Sequence, residues 1–148
     1  MLRTGGKSQH QGASHLWHVV VFWVGGRQLA VKTLDVTEIS GWTQPIPVSG
    51  QTPFFTAVVR LDHAVLPVFD LAALLQCAVQ GSHPLCLRVK HPLGDMALCI
   101  DEAIPVLHTI DHSMIQTYRG TDLPAEGSYA NGLDEIPILS VSRLGMGS

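Results

Sequence analysis

Two histidines have the spacing of a metal-binding pair. His108 and His112 stand four residues apart, which brings two rings to one face only on a helix. The segment between them, residues 106–110, reads as extended, so the rings would not converge on one ion. The three cysteines contain no C-x-x-C pair, the spacing of many zinc sites. We therefore predict no metal site and no cofactor.

Acidic residues at three places invite a catalytic interpretation. Asp62 beside His63 resembles a fragment of hydrolase machinery, but no G-x-S-x-G elbow supplies a nucleophile. Asp101 and Glu102 have the types of an acid–base pair, and also those of a strand end at a solvated turn. Asp70 is explained more simply as a helix cap. The sequence predicts a protein that is not an enzyme, with a small β-barrel enzyme or ligand binder left as an alternative.

A hairpin that leads into a short helix is the clearest structural unit. Two β-branched apolar runs, residues 57–61 and 64–69, flank Asp62-His63, residue types that tolerate the positive φ of a tight turn. Asp70 then offers an N-cap carboxylate to a helix over residues 71–76, which are rich in Ala and Leu.

The rest of the chain has the pattern of short strands between turns. Gly25-Gly26 marks the first hairpin and Asp134-Glu135 the tip of the last, whereas residues 40–56, with several prolines and glycines, form an irregular connection. Ser140 caps a final helical turn over residues 141–144. The other predicted strands are residues 16–24, 27–32, 36–39, 85–90, 96–100, 103–110, 129–133 and 136–139. This pattern predicts an all-β barrel or sandwich.

Size and composition favour two small barrels that pack together. A lone barrel of about 60 residues buries only about 60% of its unfolded surface, and the chain has 148 residues. With 46% hydrophobic and 14% charged residues, some apolar surface is reserved for partners. We predict a disordered tail over residues 1–15 and one domain over residues 16–148, divided into subdomains of about 16–82 and 83–148. An apolar groove is expected between the barrels.

Charge and cysteine usage limit the location and the partners. The net charge of −3 without a basic run argues against nucleic-acid binding. The longest apolar run, Val19 to Val24, is too short to span a bilayer, and the N-terminus lacks an apolar signal segment. An odd number of cysteines indicates reduced thiols. Cys86 and Cys99 lie in apolar runs, as small core residues do. We expect a cytoplasmic protein.

Five segments carry motifs in a fixed order and spacing. They are Phe22 to Val31, Val36 to Ile39, Ala57 to Leu75, Met96 to Asp101 and Tyr129 to Leu139. On these residues the chain resembles the CheW family of chemotaxis coupling proteins, over about residues 17–144.

The resemblance implies a fold, two partners and two surfaces. It implies two five-stranded SH3-like β-barrels packed side by side, no catalysis, and recruitment to membrane-associated receptor arrays. The implied partners are the regulatory domain of a CheA-type histidine kinase and the cytoplasmic helical hairpin of a chemoreceptor, whose helices lie in the groove. The candidate groove residues are Val36, Glu38, Ile39, Val58, Arg60, Asp62 and Leu66. The candidate kinase contacts are Met96, Leu98, Ile100, Tyr129 and Leu133. The apolar members are also explained as core residues, because period-2 alternation does not say which face meets solvent.

One turn departs from the family pattern. The family's Asn-Leu-Arg-Gly reads Arg60-Leu61-Asp62-His63 here, and in the family the arginine of this turn pairs with a glutamate at the position of Glu38. We hypothesise that Arg60 bridges Glu38 and Asp62, since like charges would otherwise face each other. The departure suggests a divergent paralogue, as in a pilus-type chemosensory system. A scaffold or localisation factor that has lost one partner is the other alternative.

Overall fold

The structure is a computed structural model that describes residues 15–49 and 54–145. The predicted disordered tail lies outside these ranges except for His15. Within them, the strands are β1 (Leu16–Val24), β2 (Arg27–Lys32), β3 (Val36–Gly41), β4 (Ile46–Pro47), β5 (Ala57–Leu61), β6 (Ala64–Phe69), β7 (Leu85–Val89), β8 (Met96–Ile100), β9 (Val106–Asp111), β10 (Ala125–Asn131) and β11 (Asp134–Leu139). A short helix, α1, covers Leu71–Leu74, and 3-10 turns cover Thr33–Asp35, His112–Met114 and Val141–Arg143. No helix in the described part of the chain is long and apolar enough to cross a membrane.

The central hairpin forms as predicted, and its helix begins at Leu71 as predicted but ends at Leu74 rather than at Gln76, which has a φ of 58°. Asp62 adopts a φ of 53° in the turn between β5 and β6. The Asp70 carboxylate accepts a hydrogen bond from the Ala73 N–H at 3.0 Å, which caps α1. The turn chemistry of these residues therefore sets the bounds of both strands.

Two predictions near the C-terminus are wrong in detail. The last hairpin turns at Gly132-Leu133, where Gly132 has a φ of 67°, because glycine takes this conformation at lower cost than Asp134 or Glu135. The Ser140 hydroxyl makes no cap hydrogen bond to the 3-10 turn that follows. It lies instead 3.1 Å from the Arg143 Nε, from which it accepts a hydrogen bond.

The strands of the described residues form two sheets. The first sheet has the order β10-β11-β2-β1-β9 and the second has the order β3-β7-β8-β6-β5-β4. The second sheet has six strands rather than the predicted five, because Ile46 and Pro47, in the segment expected to be irregular, pair with Val58 and Ala57. The all-β prediction is confirmed.

The two sheets do not follow the two halves of the chain. The first sheet joins β1 and β2 to the last three strands, and the second is built from the strands between them. The subdomain boundary near residues 82 and 83 therefore does not separate the sheets. In the first sheet, β2 pairs in parallel with β11, with Ala30 opposite Ile138. This pairing joins strands from the two ends of the sequence.

The largest core fills the seam between the sheets. It takes alternate residues of β1, namely Val20, Phe22 and Val24, together with side chains of β2, β7 and β8. Phe69 at the end of β6 and Leu71 of α1 are buried in the same core. Because both faces of β1 are buried, both sets of alternating side chains are apolar, and this explains its near-continuous apolar sequence.

Each sheet also encloses a smaller core of its own. Val19 and Val21, on the opposite face of β1, pack with Tyr129 and with residues of β9 and β11. In the second sheet, Val59 and Leu66 pack with other residues that share one face of β5 to β8. A single sheet buries its own face in this way only when it curls, so each sheet is curled around its small core.

Candidate partner-binding surface

Strand β3 is an edge of the second sheet and carries a polar cluster. The register slips by one residue between Val36 and Glu38, which makes Thr37 the extra residue of a β-bulge. On the neighbouring strand, the Arg88 guanidinium donates to Asp95 at 2.9 Å and lies 4.0 Å from Glu38. Thr37 donates to the same Asp95 carboxylate at 3.3 Å. Arg88 is thus held between two carboxylates at this edge.

The hypothesis that Arg60 bridges Glu38 and Asp62 is wrong. Glu38 faces Arg88, its cross-strand neighbour in the register of β3 and β7. Arg60 lies on β5, which is separated from β3 by β7, β8 and β6 in the order of the sheet. Among the described residues, no ion pair joins Arg60 to Glu38 or to Asp62.

Four apolar side chains form an exposed surface at the other edge of the second sheet. Ile46, Val58 and Pro67 are consecutive cross-strand neighbours on β4, β5 and β6, and such neighbours share a face. Val65 lies on the same face as Pro67, two residues earlier in β6. Ile46 is 52% exposed and Val65 is 60% exposed. We call these four residues the outer apolar face.

A cleft continues from the outer apolar face to the junction of the two sheets. It has a volume of about 240 Å³ and shares Pro67 with that face. Its walls are Phe55, His91, Leu93, Gly94, Met96, Leu144 and Gly145. Phe69, two residues beyond Pro67 on the same face, is buried in the seam, so the exposed row and the seam are parts of one apolar surface.

A buried histidine in the wall of the cleft joins two segments of the chain. The Nδ1 of His91 accepts from the Leu93 N–H at 3.1 Å, and Nε2 lies 3.1 Å from the Leu144 carbonyl oxygen. Because Nδ1 accepts, Nε2 carries the proton and donates to that carbonyl. His91 therefore ties the turn between β7 and β8 to the segment that follows β11.

The apolar groove expected between the barrels is not found at the seam core. The seam is filled there by the protein's own side chains, Phe22 and Leu98 among them, and the cleft beside Pro67 is open at its margin. Leu66 is 5% exposed and belongs to the small core of the second sheet, so it does not line a groove. Val36 is half-buried against the seam core. The structure leaves Ile39, Arg60 and Asp62 exposed and Val58 half-buried.

Comparison of the sequence with known proteins identifies one family. The model of the CheW-like domain matches residues 18–144. The chain belongs to the CheW-like family. A probable chemotaxis protein CheW of Rhizobium etli is 36% identical over 134 residues, which cover 86% of this chain and 81% of that protein. The chemotaxis protein CheW of Bacillus subtilis is 36% identical over 53 residues, or 36% of this chain and 34% of that protein.

The fold agrees with a solved CheW structure. The scaffolding protein TtCheW of Thermoanaerobacter tengcongensis superposes with a TM-score of 0.73 at 18% identity, covering 86% of this chain and 91% of that one. The CheW-like family thus accounts for the two curled sheets, and membership in it assigns the chain to the chemotaxis adaptor and scaffold proteins.

Most of the predicted kinase contacts of this CheW-like chain are core residues. Met96, Leu98 and Ile100 lie on the face of β8 that is buried in the seam. Leu98 and Ile100 offer no surface to a partner, and Met96 contributes only to the wall of the cleft. Tyr129 is 4% exposed, its hydroxyl lies 2.9 Å from His108 Nδ1, and burial raises its pKa to about 12. Leu133, at the tip of the last hairpin, is fully exposed.

Asp101 and Glu102, which were considered as an acid–base pair, have structural partners in this CheW-like fold. The Asp101 carboxylate accepts from the N–H groups of Gly25 at 2.9 Å, Gly26 at 2.8 Å and Gln80 at 2.8 Å. Glu102, which is exposed, accepts from the Ser82 N–H at 3.0 Å. Across residues 15–49 and 54–145, no group of three or more His, Cys, Asp or Glu is arranged to hold a metal ion.

Of the outer apolar face, sequence reasoning named only Val58, and it missed the cleft. Val65 and Pro67 alternate with buried Leu66 and Val68, and this alternation is the signal in the sequence that indicates an exposed apolar face. The sequence gives no comparable indication that Ile46 belongs to this face. Its strand has only two residues and lies in a proline-rich segment, so no alternation of apolar and polar residues can be recognised.

Proposed function

We propose that this chain is a non-enzymatic chemosensory adaptor that couples a CheA-type histidine kinase to the cytoplasmic helical tip of a chemoreceptor. Family membership and the CheW relative from Rhizobium etli support the adaptor role. In this proposal the protein works in the cytoplasm, is recruited to membrane-associated receptor arrays, and sets the distance and orientation between its two partners.

The outer apolar face, with its cleft, carries this proposal. The row of Ile46, Val58 and Pro67 crosses three adjacent strands, a width of about 10 Å at the usual spacing of strands. An α-helix has a diameter of about 10 Å, so one helix covers the row. An amphipathic helix binds such a surface by its apolar stripe, and the cleft beside Pro67 accepts a large side chain from it.

The candidate groove residues divide between two parts of the second sheet. Val58, Arg60 and Asp62 belong to the hairpin that carries the outer apolar face, and we keep them in the receptor surface, with Arg60 beside Val65 in register. Glu38 and Ile39 belong to the opposite edge strand. We assign them no direct contact with the same helix.

The kinase surface is proposed around Leu133. This side chain is fully exposed at the hairpin tip of β10 and β11, in the first sheet. The outer apolar face belongs to the second sheet. The proposal therefore uses separate surfaces for the two partners, as an adaptor requires.

The experiment uses two variants that control each other. Val65→Asp places a charge in the outer apolar face, and we expect it to weaken binding of a receptor helical hairpin tenfold or more, because a buried valine contributes about 1.5 to 3 kcal/mol. Leu133→Asp is expected to weaken binding of the kinase regulatory domain and to leave the receptor affinity unchanged. Both side chains are exposed, so both variants fold. Titration calorimetry of each variant with each partner gives the four affinities.

The outcomes separate the alternatives. Binding of one partner alone by the unmodified protein supports a localisation factor, and binding of neither contradicts coupling. Equal loss of both affinities in both variants contradicts separate surfaces. The departure at Arg60-Leu61-Asp62-His63 supports a divergent paralogue, and we propose that it serves a pilus-type chemosensory system. Deletion of the gene is then expected to impair pilus-driven surface movement and to spare swimming.

A further inference from the structure

Two of the three cysteines are direct cross-strand neighbours. In the antiparallel register of β7 and β8, Cys86 stands opposite Cys99, between the pairs Leu85 with Ile100 and Leu87 with Leu98. Cross-strand neighbours project to the same face of a sheet. Cys86 is buried in the small core of the second sheet, so the Cys99 thiol is directed to that same side.

The spacing of opposite residues suits a disulfide. Directly opposed residues of an antiparallel pair have Cα atoms about 4.5 or 5.5 Å apart, and Cα atoms joined through a disulfide are about 4.4 to 6.8 Å apart. Opposed Cβ atoms lie about 4.5 to 5.5 Å apart, against about 3.5 to 4.5 Å in a disulfide. A small approach of the two side chains is enough, and the backbone register does not change.

We propose that Cys86 and Cys99 form a redox-sensitive pair, in which a small-molecule disulfide oxidises the two thiols to an intramolecular disulfide across β7 and β8. Both cysteines are free in the structure. The proposed modification adds to the adaptor role and does not depend on it.

Cys99 is the point of entry for the oxidant. Strand β6 pairs with β8 only as far as Phe69 with Leu98, so Cys99 lies just beyond the end of β6 and is half-buried, whereas Cys86 is fully buried. The Cys99 thiolate attacks one sulfur of the oxidant, which forms a mixed disulfide and releases one thiolate. The Cys86 thiolate then attacks the Cys99 sulfur and releases the second. The oxidant gains two electrons and, after protonation, leaves as two thiols.

Burial makes this exchange slow at neutral pH. It raises the pKa of Cys86 to about 11 and the pKa of Cys99 to about 12. Since the thiolate is the nucleophile, the rate of bridge formation rises with pH through the alkaline range.

The bridge would fasten the central strands of the second sheet. It closes the chain between Cys86 and Cys99, restricts the unfolded state, and fixes β7 against β8. Strand β3, the edge strand that carries Glu38 and Ile39, pairs with β7. The bridge would therefore fix the strand to which this edge is hydrogen-bonded. The oxidised protein is expected to unfold at a higher urea concentration than the reduced one.

Cys77 is the exposed third thiol and must be removed from the test. It lies beside the turn at Gly25, with its Sγ 3.8 Å from the Val24 carbonyl oxygen, and it reacts independently of the pair. In a Cys77→Ser variant, any loss of thiols belongs to Cys86 and Cys99 alone.

The experiment treats the folded Cys77→Ser protein with bis(2-hydroxyethyl) disulfide at mildly alkaline pH. Free thiols are then counted after denaturation, and the mass is measured. We expect both thiols to disappear with the loss of two hydrogen atoms and no added mass, and a peptide that links Cys86 to Cys99. Adding Cys86→Ala is expected to stop the reaction at a mixed disulfide on Cys99, and adding Cys99→Ala is expected to prevent any adduct.

Three results would overturn the proposal. One is two free thiols in the folded protein after the same reagent has oxidised the urea-unfolded protein. Another is a stable mixed disulfide on Cys99 with Cys86 still free. Bridges between molecules, seen as dimers on a non-reducing gel, also count against it.

Discussion

At the scale of single residues, the charge that matters for the second sheet is Arg88. It is flanked by Glu38 and Asp95, and its side chain is only 21% exposed. Arg60, which sequence reasoning favoured, is exposed and pairs in register with Val65. The error has a physical origin, because the partner of an edge-strand glutamate depends on which strand lies beside it, and local sequence does not give strand order.

We predict that Arg88→Ala lowers the free energy of unfolding by about 1 to 2 kcal/mol, since a hydrogen bond to a charged group is lost and Asp95 keeps only its bond to Thr37. The matched variant Arg60→Ala is expected to change it by less than about 0.5 kcal/mol. Urea unfolding of both variants measures the difference. Equal effects of the two substitutions would contradict the assignment of Glu38 to Arg88.

The buried thiols predict a loss of stability at alkaline pH under reducing conditions. Burial raises the pKa of Cys86 from 9.0 to about 11 and that of Cys99 from 9.0 to about 12. Above pH 9 the unfolded state releases these protons while the folded state retains them, so stability is complete below about pH 9 and falls until the folded thiols ionise near pH 11 to 12. Tyr129, whose pKa rises from 10.0 to about 12, adds to the decline above pH 10.

The measurement is the urea midpoint of the reduced protein as a function of pH. We expect a Cys86→Ala variant to show a shallower decline than the unmodified protein. A midpoint that stays constant from pH 8 to about pH 11 would show that the thiols are not held neutral by the fold.

At the scale of elements, the residue types in the turns predicted the hairpins. They did not predict the pairing of strands that are distant in the sequence. Gly25-Gly26 and Asp62-His63 fixed the bounds of four strands, because few residue types take the conformations that these turns need. The final hairpin was misplaced by two residues, since Gly132 competes with Asp134 for the turn. The parallel pairing of β2 with β11 has no signal in the local sequence. Local sequence therefore does not predict which strands belong to which sheet.

Asp101 is the residue that links elements of the two sheets at one end of the seam. It follows β8 of the second sheet and accepts from both glycines of the β1–β2 turn in the first. Asp101→Asn is expected to destabilise the protein by about 2 kcal/mol, because one carboxylate oxygen is replaced by an amide group that cannot accept a hydrogen bond. Thermal unfolding of this variant, beside the exposed control Asp134→Asn, gives the comparison. A difference within error would mean that the three N–H groups find other acceptors.

At the scale of the molecule, composition predicted an apolar surface but not its position. The expectation from 46% hydrophobic and 14% charged residues was a groove between two barrels. The seam instead holds the largest core, and the outer apolar face, with exposed Ile46 and Val65, lies at its margin. Alternation along β8 could not distinguish a seam core from an open groove, because both are apolar on one face. For this reason Met96, Leu98 and Ile100 were assigned to a partner surface.

The central claim is that one molecule holds a receptor helix and a kinase domain together. Analytical ultracentrifugation of the protein mixed with a receptor helical hairpin and a CheA-type regulatory domain measures whether the three components sediment together. The account predicts a single complex that contains all three components, formed at the same protein concentration as either pair. Displacement of one partner by the other, or sedimentation of all three as separate species, would contradict it.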